Sequence, residues 1–395
     1  MPIKPSPIAD AYVPASRMSE QQELYPLDLY LCRECGHVQL LDVVDPQVLF
    51  RDYIYTTSIS LGLVEHFRKY ADEVSTQFPA APDSLVIDIG SNDGTLLGFF
   101  KKKGLRVLGI DPAVRIAEQA SKAGIETLPA FFDLELAKKI KADRGGGALI
   151  TANNVFAHSD HLPEMADGIR ELLAAEGVFV FEVSYLVDIV EKLLFDTVYH
   201  EHLCYHSVKP LDTFFHAHGL ELIDIRRLTG KGGSIRGFVQ HRGGPRRASH
   251  VVSELLSLEA RIGLAEPDIF REFAGKLESV KNELLALIRK VEAEGKTIAG
   301  YGASATVTTL IYNFELGSHL SFLVDDNKSR HGFFSPGHHL PVLAPEALSE
   351  RKPGYLIILA WQYANPILSK NSAFLQQGGR FILPMPSVRV IDRVT

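Results

Sequence analysis

The stretch VIDIGSNDGTLL, residues 86 to 97, decides how this chain is read. An apolar run closes on Asp88, turns through Gly90 and Gly94, and runs on into Leu96 and Leu97, which is the pattern of a strand, a tight turn and the first turn of a helix. The glycines are spaced G-x-x-x-G, not in the G-x-G-x-x-G order that seats a dinucleotide pyrophosphate. A looser turn behind an acidic strand end suits a ligand carrying both an amine and a carboxylate, and S-adenosylmethionine carries both. A second acid, Asp111 in LGIDPA, follows about 20 residues on at the end of the next apolar run, where a carboxylate can hold two ribose hydroxyls. The expected cofactor contacts here are Asp88, Gly90, Asn92, Asp93, Gly94, Asp111 and Pro112. In the competing reading Asp93 caps the helix and the glycines only make the turn.

Working outward, apolar run, turn and amphipathic helix repeat through LRVLGIDPA, GALITANNVFAH and GVFVFEVSYL, the alternation of a doubly wound parallel sheet. LELIDIRRL and SIRGFVQH read as strands that complete it. Open sheets bind ligands beyond the carboxyl ends of their strands. Asn153 and Asn154 of TANNVFAHSD therefore join the cofactor set, with Phe131 of LPAFFD bordering an adenine. Phe270, Phe273, Leu277, Val280, Leu284, Leu287 and Val291 recur at steps of three and four and predict one face of a long packing helix. The alternation then restarts in TIAGYGASATVTTLI, LSFLVDD, GYLIILAW and GRFILPMP. In this second Gly-rich turn, Gly300, Gly302 and Ala305 match the dinucleotide form, with Asp325 and Asp326 downstream. A nicotinamide cofactor and a nucleotide diphosphate on the helix N-terminus both explain these glycines. The expected architecture is α/β, with a small accessory region over residues 1–80, a Rossmann-like sheet over 81–250, and a helical linker with a second Rossmann-like domain over 251–395.

Composition narrows the partners. The 395 residues are 46% hydrophobic and carry a formal charge of -7, so no broad basic field is available for nucleic acid. The start, MPIKPSPIADAYVPA, lacks a signal pattern and no apolar run spans a bilayer, which leads to the expectation of a cytoplasmic protein, monomeric or homodimeric. Three cysteines build no disulfide framework.

The stretch FDTVYHEHLCYHS, residues 195 to 207, crowds titratable groups together. Metal binding, proton transfer and a merely polar loop are the competing readings. H-E-H lacks the i, i+4 spacing of helical zinc motifs. A carbon beside a ketone becomes nucleophilic once its proton leaves, which takes a base and a donor for the enolate oxygen. His202 titrates near neutrality, Tyr199 can donate to the oxygen, and Glu201 can orient the sugar or the imidazole. His200, His206, His216 and His218 read as packing or surface residues.

Taken in order, DIGSNDGTLL, ANNVFAHSD, VYHEHLCYHS, GGSIRGFV, GYGASA, VDDN, GFFSPGHHLPV, LAW and GGRFILPMP resemble the sugar C-methyltransferases that act on nucleotide-linked keto-deoxyhexoses, over nearly the whole chain. The resemblance implies an N-terminal zinc-binding region, a central class I S-adenosylmethionine-dependent methyltransferase domain, and a C-terminal Rossmann-like domain that helps hold a nucleotide-linked keto-deoxy sugar. It points at Tyr199, Glu201 and His202 of Y-x-E-H as catalytic, with His202 the base. The expected substrate contacts are Tyr55, His158, Gly233, Ser234, Arg236 and Gly302. Three departures stand out. The family has two C-x-x-C pairs near its start and this chain has only Cys32 and Cys35, half of a tetrahedral set, so the expectation is little or no zinc. Thr306, Val307 and Thr308 replace a Lys, Gly and Asn, and Lys231 replaces a His. The alternatives to a methyltransferase are an NAD(P)-dependent or bifunctional sugar-nucleotide oxidoreductase and a noncatalytic sugar-nucleotide binding protein.

Overall fold

The computed structural model of the chain describes residues 1–46, 49, 57 and 62–393, and the counts below refer to these. The stretch 85–89 forms an inner strand of a seven-stranded sheet. Its strands are β1 Leu85–Ile89, β2 Arg106–Ile110, β3 Thr127–Leu128, β4 Gly147–Asn153, β5 Leu173–Ser184, β6 Leu220–Leu228 and β7 Ser234–His241, in the spatial order β6-β7-β5-β4-β1-β2-β3. Pairing is parallel from β5 through β4 and β1 to β3, and antiparallel where β7 joins β5 and β6. All five residues of β1 are buried, as a central parallel strand covered on both faces requires.

Helix α1, Leu63–Gln77, turns Phe67, Tyr70, Ala71 and Val74 onto this sheet, in one cluster with Val86, Phe100, Val178 and Phe238. The sequence reading places this segment in the accessory region; its apolar stripe packs it with the central sheet instead. Helix α2, Thr95–Lys101, follows the first Gly-rich turn. The helix His250–Arg261 also belongs beside the central sheet, because its Glu259 carboxylate accepts the Val208 and Lys209 backbone N–H groups and the Tyr185 hydroxyl.

The long helix, α3 Pro267–Ala293, buries Phe270, Phe273, Leu277, Val280, Leu284, Ile288 and Val291. The expected Leu287 packs half-buried against the same core, and Ile288 beside it is the fully buried residue of that turn. With 3.6 residues per turn, the fourth residue after Leu284 lies closer to its direction than the third. The second sheet follows, with β8 Ile298–Tyr301, β9 Leu323–Val324, β10 Val342–Leu343, β11 Tyr355–Ile358, β12 Arg380–Leu383 and β13 Arg389–Ile391 in the order β10-β9-β8-β11-β12-β13. It is parallel except for β13. Helix α4, Ala305–Asn313, springs from its Gly-rich turn.

The N-terminal residues tie the two sheets together. Val13–Pro14 pairs with Phe333–Phe334, and Val38–Gln39 pairs with Cys204–Tyr205, directly after the histidine-rich turn. Among the described residues no helix is long and apolar enough to cross a membrane.

Candidate active site

A cavity of about 780 Å³ opens beyond the carboxyl ends of β1, β2 and β4 and is closed on its far side by the start of α4 and the loop after β11. On the central-sheet side its floor is Asp88. This carboxylate accepts the Thr151 hydroxyl at 2.6 Å, and among the described residues no cation pairs with it. Burial pushes it up to about 7, with the Thr151 bond opposing and the Asp111 charge adding. Asp111 accepts the Asn92 backbone N–H at 2.8 Å and the Ala113 N–H at 2.9 Å, which aims the carboxyl along the turn; burial raises it too, against those two bonds. Gly90 takes φ +71°, and a Cβ there would collide with Val155. Asn92 and Asn154 hold left-handed backbone at φ 50° and 56° without being glycine. Pro112, Phe131, Asn153 and Asn154 also line this side, and Phe131 is half exposed at the rim.

Two of the expected cofactor residues stand apart. Asp93 turns its carboxylate to the Thr95 hydroxyl at 2.6 Å and the Thr95 N–H at 3.1 Å, and Gly94 at φ +75° packs over Ile125. They start α2 and do not line the cavity. The remaining donor set suits an adenosyl ligand: an unpaired buried carboxyl for an ammonium, a second carboxyl one strand over for a ribose diol, and an apolar rim for an adenine.

Across the cavity, a turn at Phe195–Thr197 carries the chain into Tyr199, Glu201 and His202. His202 Nδ1 lies 2.8 Å from the Thr197 carbonyl and Nε2 lies 2.9 Å from the Tyr199 hydroxyl. A carbonyl only accepts, so the proton is on Nδ1 and Nε2 accepts from Tyr199. The His158 ring lies 5.1 Å from that of His202. Glu201 is buried and, among the described residues, its carboxyl has no hydrogen-bond partner; burial, then the Asp10 charge, push it up to about 8. The neighbouring histidines turn away. His200 meets the Tyr25 carbonyl at 3.2 Å, and His206 meets the Phe156 carbonyl at 3.2 Å in full burial, beside His37. Burial drives the Cys204 thiol up to about 12, which leaves it an inert neighbour.

Four of the expected substrate contacts lie elsewhere, and Tyr55 falls outside the described residues. Arg236 is buried between β5 and α1, donating to Glu182 at 2.6 Å and to Glu73 at 2.8 Å, with its guanidinium 4.1 Å from the centroid of the Tyr70 ring. It is consumed by an ion-pair network that His66 completes on Glu182 at 2.7 Å. Gly233 packs on the Asp188 side chain, and Ser234 donates to the Gly230 carbonyl at 3.2 Å. Gly302, at φ +115°, makes room for Ala360, while its followers Ser304, Ala305 and Thr306 reach the cavity.

The sequence reading misses Asp10, Asp196, Arg330 and Trp361, all of which line the cavity. Asp196 accepts the Trp361 indole N–H at 2.9 Å and is pushed up to about 7 by burial against that bond. Arg330 donates to Asp10 at 3.2 Å and is the one Lys or Arg among the described lining residues. The quoted runs FDTV and LAW hold Asp196 and Trp361, but nothing local says that they meet.

The N-terminal knuckle keeps its turn, with Cys32 N–H to His37 O at 2.8 Å and Gly36 N–H to Cys32 O at 2.9 Å. Cys32 is exposed and Cys35 half-buried, and among the described residues no three His, Cys, Asp or Glu side chains gather as a metal site. Two thiols do not fit a closed zinc centre.

The fold and the cleft define an S-adenosylmethionine-dependent methyltransferase with a class I Rossmann-like sheet. Residues 64–225 match the family described as a methyltransferase domain, 229–386 the C-methyltransferase C-terminal domain, and 1–50 a putative zinc binding domain. The chain is 37% identical over 372 residues to the C-methyltransferase NovU of Streptomyces niveus, covering 94% of this chain and 89% of that protein, and it belongs to this C-methyltransferase family. Solved structures with a similar sheet include the magnesium protoporphyrin IX methyltransferase ChlM of Synechocystis PCC 6803 with bound SAM, at TM-score 0.37 and 14% identity over 51% of this chain and 98% of that one. An S-adenosylmethionine-dependent methyltransferase of Clostridium acetobutylicum ATCC 824 gives TM-score 0.36 and 14% identity over 50% and 96%.

Proposed function

We propose that this C-methyltransferase methylates the carbon alpha to the ketone of a nucleotide-linked keto-deoxy sugar, through an enolate. The observation that carries the reading is the Tyr199–His202 pair, bonded at 2.9 Å within the same cavity as Asp88 and Asp111. Bound S-adenosylmethionine supplies an electrophilic methyl group on its sulfonium. Asp88 holds the donor's ammonium and Asp111 its ribose hydroxyls. His202 Nε2, already carrying a lone pair, accepts the alpha proton once the sugar oxygen takes over the Tyr199 hydrogen bond. Tyr199 then donates to the oxygen on which charge develops. Both nitrogens of His202 are engaged, by Tyr199 and by Thr197, so Glu201 is left to the sugar. Below about pH 8 it is protonated and donates.

The second sheet's side of the cavity supports the nucleotide. The N-terminus of α4, at Ser304 to Thr306, and the Arg330 guanidinium, which Asp10 shares at 3.2 Å, are the groups on this side that can receive a diphosphate. The redox alternative has less in its favour. Asp325, which would hold a cofactor ribose, accepts two backbone N–H groups as Asp111 does, but it also lies 4.0 Å from the Arg330 guanidinium, a cation partner that Asp111 lacks among the described residues.

Half of the reaction can be run alone. With S-adenosylhomocysteine in place of the donor, an accepted keto sugar from a nucleotide-sugar panel is expected to exchange its alpha hydrogen for solvent deuterium. His202→Asn is expected to abolish exchange and methylation while leaving S-adenosylhomocysteine affinity unchanged; Tyr199→Phe should slow both by on the order of a hundredfold. Full exchange in His202→Asn would move the base to another residue.

A further inference from the structure

The residues that lead into the Tyr199–His202 pair are gripped from outside the central sheet. Phe195 stacks on Phe314 with ring centroids 5.0 Å apart and planes at 16°. Asp196 accepts the Trp361 indole N–H at 2.9 Å. The Val198 carbonyl accepts the Thr309 hydroxyl at 2.7 Å, with both residues buried. All three partners come from the second sheet's unit: Thr309 within α4, Phe314 directly after it, and Trp361 beyond β11. Thr197, in the middle, sends its hydroxyl back to Leu194 O at 2.7 Å and its own carbonyl to His202 Nδ1 at 2.8 Å.

The Thr197 carbonyl decides which nitrogen of His202 carries the proton, because it can only accept. That carbonyl belongs to the peptide joining Thr197 to Val198, so its direction follows the backbone on either side. The Leu194 bond restrains one side, and the Thr309 hydroxyl restrains the other. We propose that Thr309 is a positioning residue: by pinning the Val198 carbonyl, its hydroxyl aims the adjacent Thr197 carbonyl at His202 Nδ1 and keeps Nε2 free of a proton on the face that meets the substrate. The second sheet thus sets the tautomer of a histidine it does not contain. The catalytic consequence rests on His202 being the base, whereas the effect on the imidazole does not.

Thr309→Val preserves the β-branched shape and deletes only the hydroxyl; Thr309→Ser keeps the hydroxyl. In full-length protein labelled with 15N-histidine, the His202 ring signals, assigned by their loss in His202→Asn, are expected to report a single Nδ1-protonated tautomer in the wild type. Thr309→Val is expected to show a mixture of tautomers, with kcat lower by on the order of tenfold and the KM for S-adenosylmethionine unchanged. Thr309→Ser is expected to restore both. A wild-type ring signature in Thr309→Val, whatever its activity, overturns the proposal, and so does failure of the serine to restore it. If Thr309→Val does not fold, Thr309→Ala deletes the same hydroxyl with less bulk, and an unchanged His202 signature there overturns the proposal equally. If His202 is not the base, deuterium exchange survives in His202→Asn while the ring signals still report the coupling.

Discussion

Asp88 shows how burial turns an ordinary side chain into a titrating one. In the folded chain it is pushed up to about 7 from an ordinary 3.8, chiefly by loss of water. The folded state therefore holds its proton more tightly than the unfolded state, so this group contributes stability below about pH 4 and loses it as the pH rises to about 7. Asp196 and Glu201, at about 7 and about 8, act in the same direction. Asp88→Asn cannot ionise, so urea unfolding of the ligand-free protein is expected to show a shallower fall in stability between about pH 4 and about pH 7 than the wild type. Identical slopes would mean that Asp88 stays solvated. The acid itself is legible in VIDIG, since a carboxylate closing an apolar strand has few structural uses; its shifted titration is not, because burial is a property of the assembled cleft.

At the scale of elements, β7 shows where a correct strand leads to a wrong side chain. SIRGFVQH is read as a strand and forms one, but its register sets Arg236 opposite Glu182 on β5 and beneath α1. Burial alone would raise Glu182, yet the His66 hydrogen bond and the Arg236 charge hold it below the usual carboxylate range. Arg236→Met would leave Glu182 with half of its partners in a buried site. Such a change is expected to destabilise the protein by about 3 to 5 kcal/mol in chemical denaturation, without altering S-adenosylhomocysteine affinity in the protein that remains folded. A loss of nucleotide-sugar binding alone, at full stability, would return Arg236 to the substrate. The acid inside the apolar run FVFEVSY was a local signal for this pair. Its partner was not legible, because cross-strand register is settled by the whole sheet.

Across the whole molecule, the N-terminal residues close the cavity over the second Gly-rich turn. Tyr12 donates to the Ala303 carbonyl, the Thr308 hydroxyl holds the Ala9 carbonyl at 2.9 Å, and Asp10 meets Arg330. Asp325, the acid that a nicotinamide dinucleotide's ribose would need, lies 4.0 Å from the Arg330 guanidinium that Asp10 of this strap also meets. Fluorescence titration with NADH is expected to show no binding; micromolar affinity would reinstate the redox reading. The sequence by itself determined the two strand-and-helix alternations, the acids at the ends of β1 and β2, and the crowding of Tyr199, Glu201 and His202. Each of these is a matter of short-range periodicity and spacing, which a linear chain carries in full. Only the tertiary structure decided that Arg236 belongs to the framework and that Asp10, Asp196, Arg330 and Trp361 wall the cavity. Those outcomes depend on register and on pairings such as Asp10 with Arg330 or Asp196 with Trp361, between residues far apart in the chain, where no local pattern links the partners.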